Sequence, residues 1–157
     1  MTVAVAVVLG SGHTQLAGIL LIGTLAFDAV DGTLARLMGM TSRFGAFLDS
    51  TLDRWAEVAL YSALVWYCLE IGDDKGVLLA TAAMATSLLV SYTRARAEGV
   101  GIECKEGLLT RFERMVILIA GLIFNQIVWA LAIIAILAGY TAVQRIWVTW
   151  QAARTTV

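Results

Sequence analysis

Residues 127–154, IVWALAIIAILAGYTAVQRIWVTWQAAR, run from Ile127 to Gln144 without a charge before Arg145 and Arg154 close the segment. A helix rises about 1.5 Å per residue, so a run of this length crosses the roughly 30 Å of bilayer hydrocarbon. The rest of the chain is therefore read as neighbours of a membrane span. Apolar runs separated by short polar breaks predict further spans at Leu16 to Met38, Phe44 to Leu69, Val77 to Ala97 and Arg111 to Phe124. With Ile127 to Arg154 these make five complete spans. Met1 to Gly10 is apolar but too short to cross, and is expected to be the outer end of a truncated first span. A signal peptide would carry a basic start, which this run lacks.

Composition agrees. The chain is 60% hydrophobic and 15% charged and has no proline, which favours long helices over loops. The fold class expected is all-α, a polytopic membrane helix bundle forming one domain over residues 1–157. A net charge of -1 provides no general attraction to nucleic acid, and no local basic patch with base-reading context is visible. Cys68 and Cys104 lie far apart without metal-ligand spacing and read as free thiols.

Once the helices alternate across a bilayer, Arg36, Arg43, Arg54, Arg94, Arg96, Lys105, Arg111, Arg114, Arg145 and Arg154 fall on one side and Lys75 on the other. Positively charged residues concentrate in the cytoplasm, so the arginine-rich side is predicted to face it. Trp55, Trp66, Tyr67, Trp147 and Trp150 near helix ends read as interfacial anchors.

Within this apolar chain Asp28, Asp31, Asp49 and Asp53 stand out. An Asp near the bilayer centre costs about 2.5–3.5 kcal/mol, so four approach roughly 10 kcal/mol unless cations or water compensate. Asp28 and Asp31 are three apart at one end of the second helix, and Asp49 and Asp53 four apart at the start of the third, so each pair shares a helical face. A short turn at Gly39 to Arg43 predicts that the two helices pack as antiparallel neighbours with these faces opposed. Four carboxylates without His or Cys suit hard divalent cations, Mg2+, Mn2+ or Ca2+, rather than zinc. Gly32, Ala35 and Gly45 leave backbone bare beside the carboxylates, which fits either close helix packing or the approach of a bulky ligand. Arg36 favours a ligand, because a guanidinium beside a carboxylate–metal centre is a partner for phosphate oxygen.

As a string these residues read D-x-x-D-G-x-x-A-R-x8-G-x3-D-x3-D from Asp28 to Asp53. This resembles the signature of the CDP-alcohol phosphotransferase family, with every fixed position at the expected spacing. The resemblance implies a six-helix membrane architecture, a homodimer, a polar cavity open to the cytoplasm, two divalent cations (Mg2+ or Mn2+) and a CDP-linked lipid such as CDP-diacylglycerol. It assigns Asp28, Asp31, Asp49 and Asp53 to the metals, Asp31, Gly32, Ala35, Arg36 and Gly45 to the CDP moiety, and the general base to Asp53. Family members usually begin with an amphipathic segment and a full first span, from which this chain departs. The activity implied is transfer of a phosphatidyl-type group to the hydroxyl of a polar alcohol with release of CMP, in the membrane of a prokaryote.

The acceptor depends on the arginines. Residues 91–98, SYTRARAE, resemble the corresponding segment of the phosphatidylinositol phosphate and archaetidylinositol phosphate synthase branch, which uses inositol phosphate. On that resemblance Ser91, Arg94, Arg114 and Arg154 grip the acceptor. Positive-inside topology and contact with anionic headgroups would account for the same charges. Glycerol phosphate, the acceptor of phosphatidylglycerol phosphate synthase, also presents a phosphate to arginines. A divalent-cation transporter would place carboxylates along a path open to both faces, often at repeats or broken helices. Here the acids cluster toward one face.

Overall fold

The computed structural model describes residues 2–37, 42–104 and 107–155, with the side chains of 29–37 and Thr155 outside the described set. Among the described residues the chain forms six helices and no strand: α1 (Thr2–Gly10), α2 (Thr14–Leu37), α3 (Arg43–Glu70), α4 (Asp74–Gly99), α5 (Arg111–Ile123) and α6 (Ile127–Thr155). Their bounds follow the apolar runs closely because the breaks carry helix-ending chemistry. Ser42 caps α3 by accepting a hydrogen bond from the Gly45 amide at 2.9 Å, and Asp73 caps α4 from the Gly76 amide at 3.0 Å. At α5 the Glu113 carboxylate accepts from the Thr110 amide at 2.8 Å. Gly72, between α3 and α4, takes a φ of +71°, a left-handed conformation suited to glycine after a helix end.

Helices α2, α3, α4 and α6, of 24, 28, 26 and 29 residues, are long enough to cross a bilayer. Two of these, α4 and α6, are also apolar enough by composition. The fifth run, expected as a complete span, is a 13-residue helix about 20 Å long and falls short of the hydrocarbon thickness. Its first turn carries Arg111 and Arg114, which end the apolar stretch on the charged side.

The molecule is an all-α membrane helix bundle. Its interior is a cluster of Leu9, Leu21, Leu60, Tyr61, Leu64, Leu118, Leu122, Leu131 and Ile134, drawn from every helix but α4, which adds Ala80 and Ala83. The outer surface of α6 instead exposes Trp129, Ile136, Tyr140, Val143 and Trp147 while Leu131, Ile134, Ala138 and Ala142 on its other face are buried. An apolar outside as well as an apolar inside is what a lipid-facing helix requires. Helices α5 and α6 approach closely at Gly121, where a Cβ would lie 2.4 Å from that of Ala130. Tyr61 on α3 meets Ser87 on α4 through a buried hydroxyl–hydroxyl contact of 3.2 Å.

The neighbour relations correct one expectation. Helix α1 packs on both α2 and α3, α2 packs on α5, and α4 packs on both α3 and α6, whereas α2 and α3 make at most slight contact among the described residues. A short turn constrains only the ends it joins. Farther along, the apolar Val5 and Leu9 of α1 fill the space that a direct α2–α3 contact would have closed.

Candidate active site

The carboxylates of α2 and α3 meet through a residue of a third helix. Arg111, the first residue of α5, places Nη1 2.8 Å from Asp53 Oδ1 and Nη2 3.7 Å from Asp28 Oδ2. One guanidinium thus spans an aspartate from each of the two predicted pairs. Asp49 lies one turn before Asp53 on α3 and is exposed. Gly45 is in the first turn of the same helix, where a Cβ would come within 3.0 Å of the Ser42 Oγ that caps it. Asp31, Gly32, Ala35 and Arg36 lie on the α2 backbone, but their side chains are outside the described residues.

Behind Asp53 the charges continue into the protein. Arg54 Nη2 is 3.8 Å from Asp53 Oδ2, and Arg54 Nε is 3.9 Å from Glu57 Oε2. Glu57 is buried, and its Oε1 accepts two hydrogen bonds from Arg114, from Nε at 2.9 Å and Nη2 at 2.8 Å. Arg114, also buried, donates through Nη1 to the Leu109 carbonyl at 3.3 Å. A small cavity of about 20 Å³ beside this chain of charges is lined by Thr2, Thr24, Asp28, Glu57, Arg111 and Met115 among others. It has room for one water molecule.

A larger cleft of about 350 Å³ opens on the other side of Arg111. Ser50 and Arg54 come from α3, Ser91, Arg94 and Glu98 from α4, Arg111 and Arg114 from α5 and Arg145 from α6, with Thr110 at the rim. Five guanidinia around one cleft suit an anion, and arginine forks match phosphate in particular. Arg94 is exposed and paired with Glu98 at 2.9 Å, an i,i+4 surface pair that is easily exchanged. Arg145 is buried, and its Nη1 donates to the Val90 carbonyl of α4 at 2.6 Å. Gly107, at a φ of +148°, lies against it, since a Cβ there would come 3.0 Å from Arg145 Nη2 and 2.9 Å from Thr141 Cγ2. The Leu109 amide donates to Thr141 Oγ1 at 3.2 Å and holds the same loop on α6.

Of the four residues expected to grip an acceptor, the structure brings Ser91, Arg94 and Arg114 to this cleft and does not bring Arg154. Arg154 lies at the end of α6, its guanidinium carbon 4.4 Å from the Trp150 ring centroid, a cation–π contact. Arg145, about two and a half turns earlier on α6, lines the cleft instead. The sequence reading did not single out Glu57 or Arg145 for the site, and took Arg111 only as part of the basic cluster, three residues from Arg114 on one helical face. For Glu57 a signal existed: with Asp49 and Asp53 it completes an i, i+4, i+8 series on one face of α3.

Among the described residues no three of His, Cys, Asp and Glu converge closely enough to hold a metal ion. The donors nonetheless fit a hard divalent cation. They are oxygen-only, they come from two helices, and Asp28 and Asp53 already converge on a positive charge, that of Arg111.

A family model for CDP-alcohol phosphatidyltransferases matches residues 1–155. The chain belongs to the CDP-alcohol phosphatidyltransferase family. It is 36% identical to the archaetidylinositol phosphate synthase of Methanothermobacter thermautotrophicus, with 90% of this chain and 73% of the relative covered. With the phosphatidylinositol phosphate synthase of Corynebacterium glutamicum it shares 36% identity over 93% of this chain and 71% of the relative. The corresponding synthase of Mycobacteroides abscessus is 40% identical, with 73% of this chain and 53% of the relative covered. The crystal structure of Mycobacterium tuberculosis phosphatidylinositol phosphate synthase with CDP-DAG bound superposes with a TM-score of 0.88 at 29% identity, covering 95% of this chain and 80% of that one. The same synthase in complex with manganese and citrate gives 0.88, covering 95% and 77%. As a CDP-alcohol phosphatidyltransferase, the chain is an enzyme of phospholipid synthesis in a membrane.

Proposed function

We propose that this phosphatidyltransferase transfers the phosphatidyl-type group of a CDP-linked lipid, CDP-diacylglycerol or a close analogue, to a hydroxyl of inositol phosphate, releasing CMP. The observation that carries the acceptor assignment is the cleft in which Ser91, Arg94, Arg114 and Arg145 surround a polar space reaching, at Arg111, the guanidinium that contacts Asp53. Relatives named for inositol phosphate products, of which this chain spans 53–73%, support it.

In the proposed reaction the acceptor hydroxyl oxygen forms a bond to the β-phosphorus of the CDP-lipid. The bond from that phosphorus to the bridging oxygen breaks, and CMP leaves with the electron pair. Asp53 takes the hydroxyl proton. Held by Asp28, Asp31, Asp49 and Asp53, two divalent cations, Mg2+ or Mn2+, would supply neutralisation of the diphosphate and of the charge gathering on CMP. By family resemblance Asp31, Gly32, Ala35, Arg36 and Gly45 border the CDP moiety, with the Arg36 guanidinium a partner for phosphate. The arginines of the cleft bind the acceptor's phosphate and so orient its hydroxyl toward Asp53. Such positioning, rather than proton transfer, accounts for most of the rate in this reading. The site faces the cytoplasm of a prokaryote by the distribution of basic residues, and the enzyme works as a homodimer by family resemblance.

The test supplies CDP-diacylglycerol and Mg2+ with inositol phosphate, glycerol phosphate or no acceptor and measures CMP. Inositol phosphate should give the fastest release. If glycerol phosphate drives release while inositol phosphate matches the blank, the acceptor assignment is wrong and the phosphatidylglycerol phosphate reading replaces it.

A further inference from the structure

Asp53 stands at the end of a row of alternating charges: Asp53, Arg54, Glu57, Arg114. Glu57 lies one turn beyond Asp53 on α3 and is 2% exposed, while Arg114 on α5 is 1% exposed. Arg54 sits between the two acids, 3.8 Å from Asp53 and 3.9 Å from Glu57. Both Arg54 Nε and Glu57 Oε2 are buried without a hydrogen-bond partner among the described residues. They therefore face each other as charges rather than as a hydrogen-bonded pair. Asp53 also has Arg111 at 2.8 Å on its other oxygen.

A buried guanidinium keeps its charge and has to find a counter-charge. With Glu57 ionised, Arg114 is satisfied and Arg54 is divided between two carboxylates. Arg54 is 32% exposed where it lines the cleft but its Nε is buried, so without Glu57 its remaining carboxylate partner among the described residues is Asp53, which then answers two guanidinia more fully. A carboxylate held in that way is a poorer ligand for a divalent cation.

We propose that Glu57 is a positioning residue, a buried carboxylate that holds Arg114 and whose task is to draw Arg54 away from Asp53 and so leave Asp53 open to cation and acceptor. The inference rests on the reading of the aspartates as cation ligands. Partners of this outer kind typically change metal affinity about 10- to 100-fold when removed.

The experiment is titration of the purified full chain with Mn2+, following the electron paramagnetic resonance signal of free Mn2+, together with thermal unfolding. E57Q should raise the Mn2+ dissociation constant about 10- to 100-fold. E57Q/R54Q removes the guanidinium released onto Asp53, so affinity should recover by about tenfold while the lowered unfolding temperature does not. E57Q/R114Q relieves the buried Arg114 charge and restores stability but leaves Arg54 undivided, so affinity should stay low; it also keeps the test open if E57Q alone does not fold. Wild-type Mn2+ affinity in E57Q or E57Q/R114Q, whatever the unfolding temperature, overturns the role of Glu57 and leaves the metal reading standing. No Mn2+ binding by the wild type removes the metal reading itself, and this inference with it.

Discussion

Asp53 accepts contacts from guanidinia on both oxygens and closes the signature that began at Asp28. If it is the base, replacing it with the isosteric amide removes proton acceptance while keeping much of the shape. D53N should therefore abolish CMP release more completely than it weakens CDP-lipid binding, measured separately by turnover and by equilibrium titration. Equal loss of both would leave Asp53 as a ligand only. Arg145 provides the contrasting case, far from the aspartate signature and buried against the loop at Gly107. R145Q should raise the KM for inositol phosphate by about 10- to 100-fold, the worth of a charge-assisted hydrogen bond of about 1.5–3 kcal/mol, with the KM for CDP-lipid little changed. A parallel rise in both constants would assign Arg145 to holding the loop. That Asp49 and Asp53 share one face of α3 was legible from spacing alone, because helical periodicity puts i and i+4 on one face. Arg111 and Arg145 were not, since positive-inside topology accounts equally well for any single arginine. Their place at the site follows from contacts across long separations, those of Arg111 with Asp28 and of Arg145 with the Val90 carbonyl.

The helices themselves were legible to within about three residues, because most breaks hold a capping side chain or a glycine, and the break before α6 holds Asn125 at a φ of +55°. What the pattern did not contain was adjacency. Apolar runs state which segments bury surface, not against which partner, and so α1 could take the place beside α3 that α2 was expected to fill. Helix contacts of this kind depend on side-chain volume. At the α5–α6 crossing a methyl on Gly121 would lie 2.4 Å from Ala130 Cβ. G121A should therefore destabilise the protein by about 1–3 kcal/mol through overpacking. Adding A130G should return most of the loss, as read by thermal unfolding of the two variants. If G121A unfolds at the wild-type temperature, the crossing is looser than described.

For the whole molecule, the proposed orientation rests on charge asymmetry. Helix α4 runs about 39 Å from Asp74 to Gly99 and carries Lys75 at one end and the arginine-rich segment at the other. In a background with Cys68 and Cys104 replaced by alanine, K75C and V100C in sealed vesicles should react with an impermeant maleimide from opposite sides. Labelling of both from one side would contradict the spanning arrangement.

Helix α5 is about 10 Å shorter than the hydrocarbon it stands in. If the shortfall lies at its first turn, the polar cleft there reaches below the plane of the surrounding headgroups, and the bilayer would dimple to let water follow. In such a dimple the proposed two-tailed nucleotide lipid would keep its chains in oil, and the proposed polyol phosphate would keep its hydration, until the two touch. The proposed reaction would thereby join reactants that partition into different phases without obliging either to cross the boundary between them.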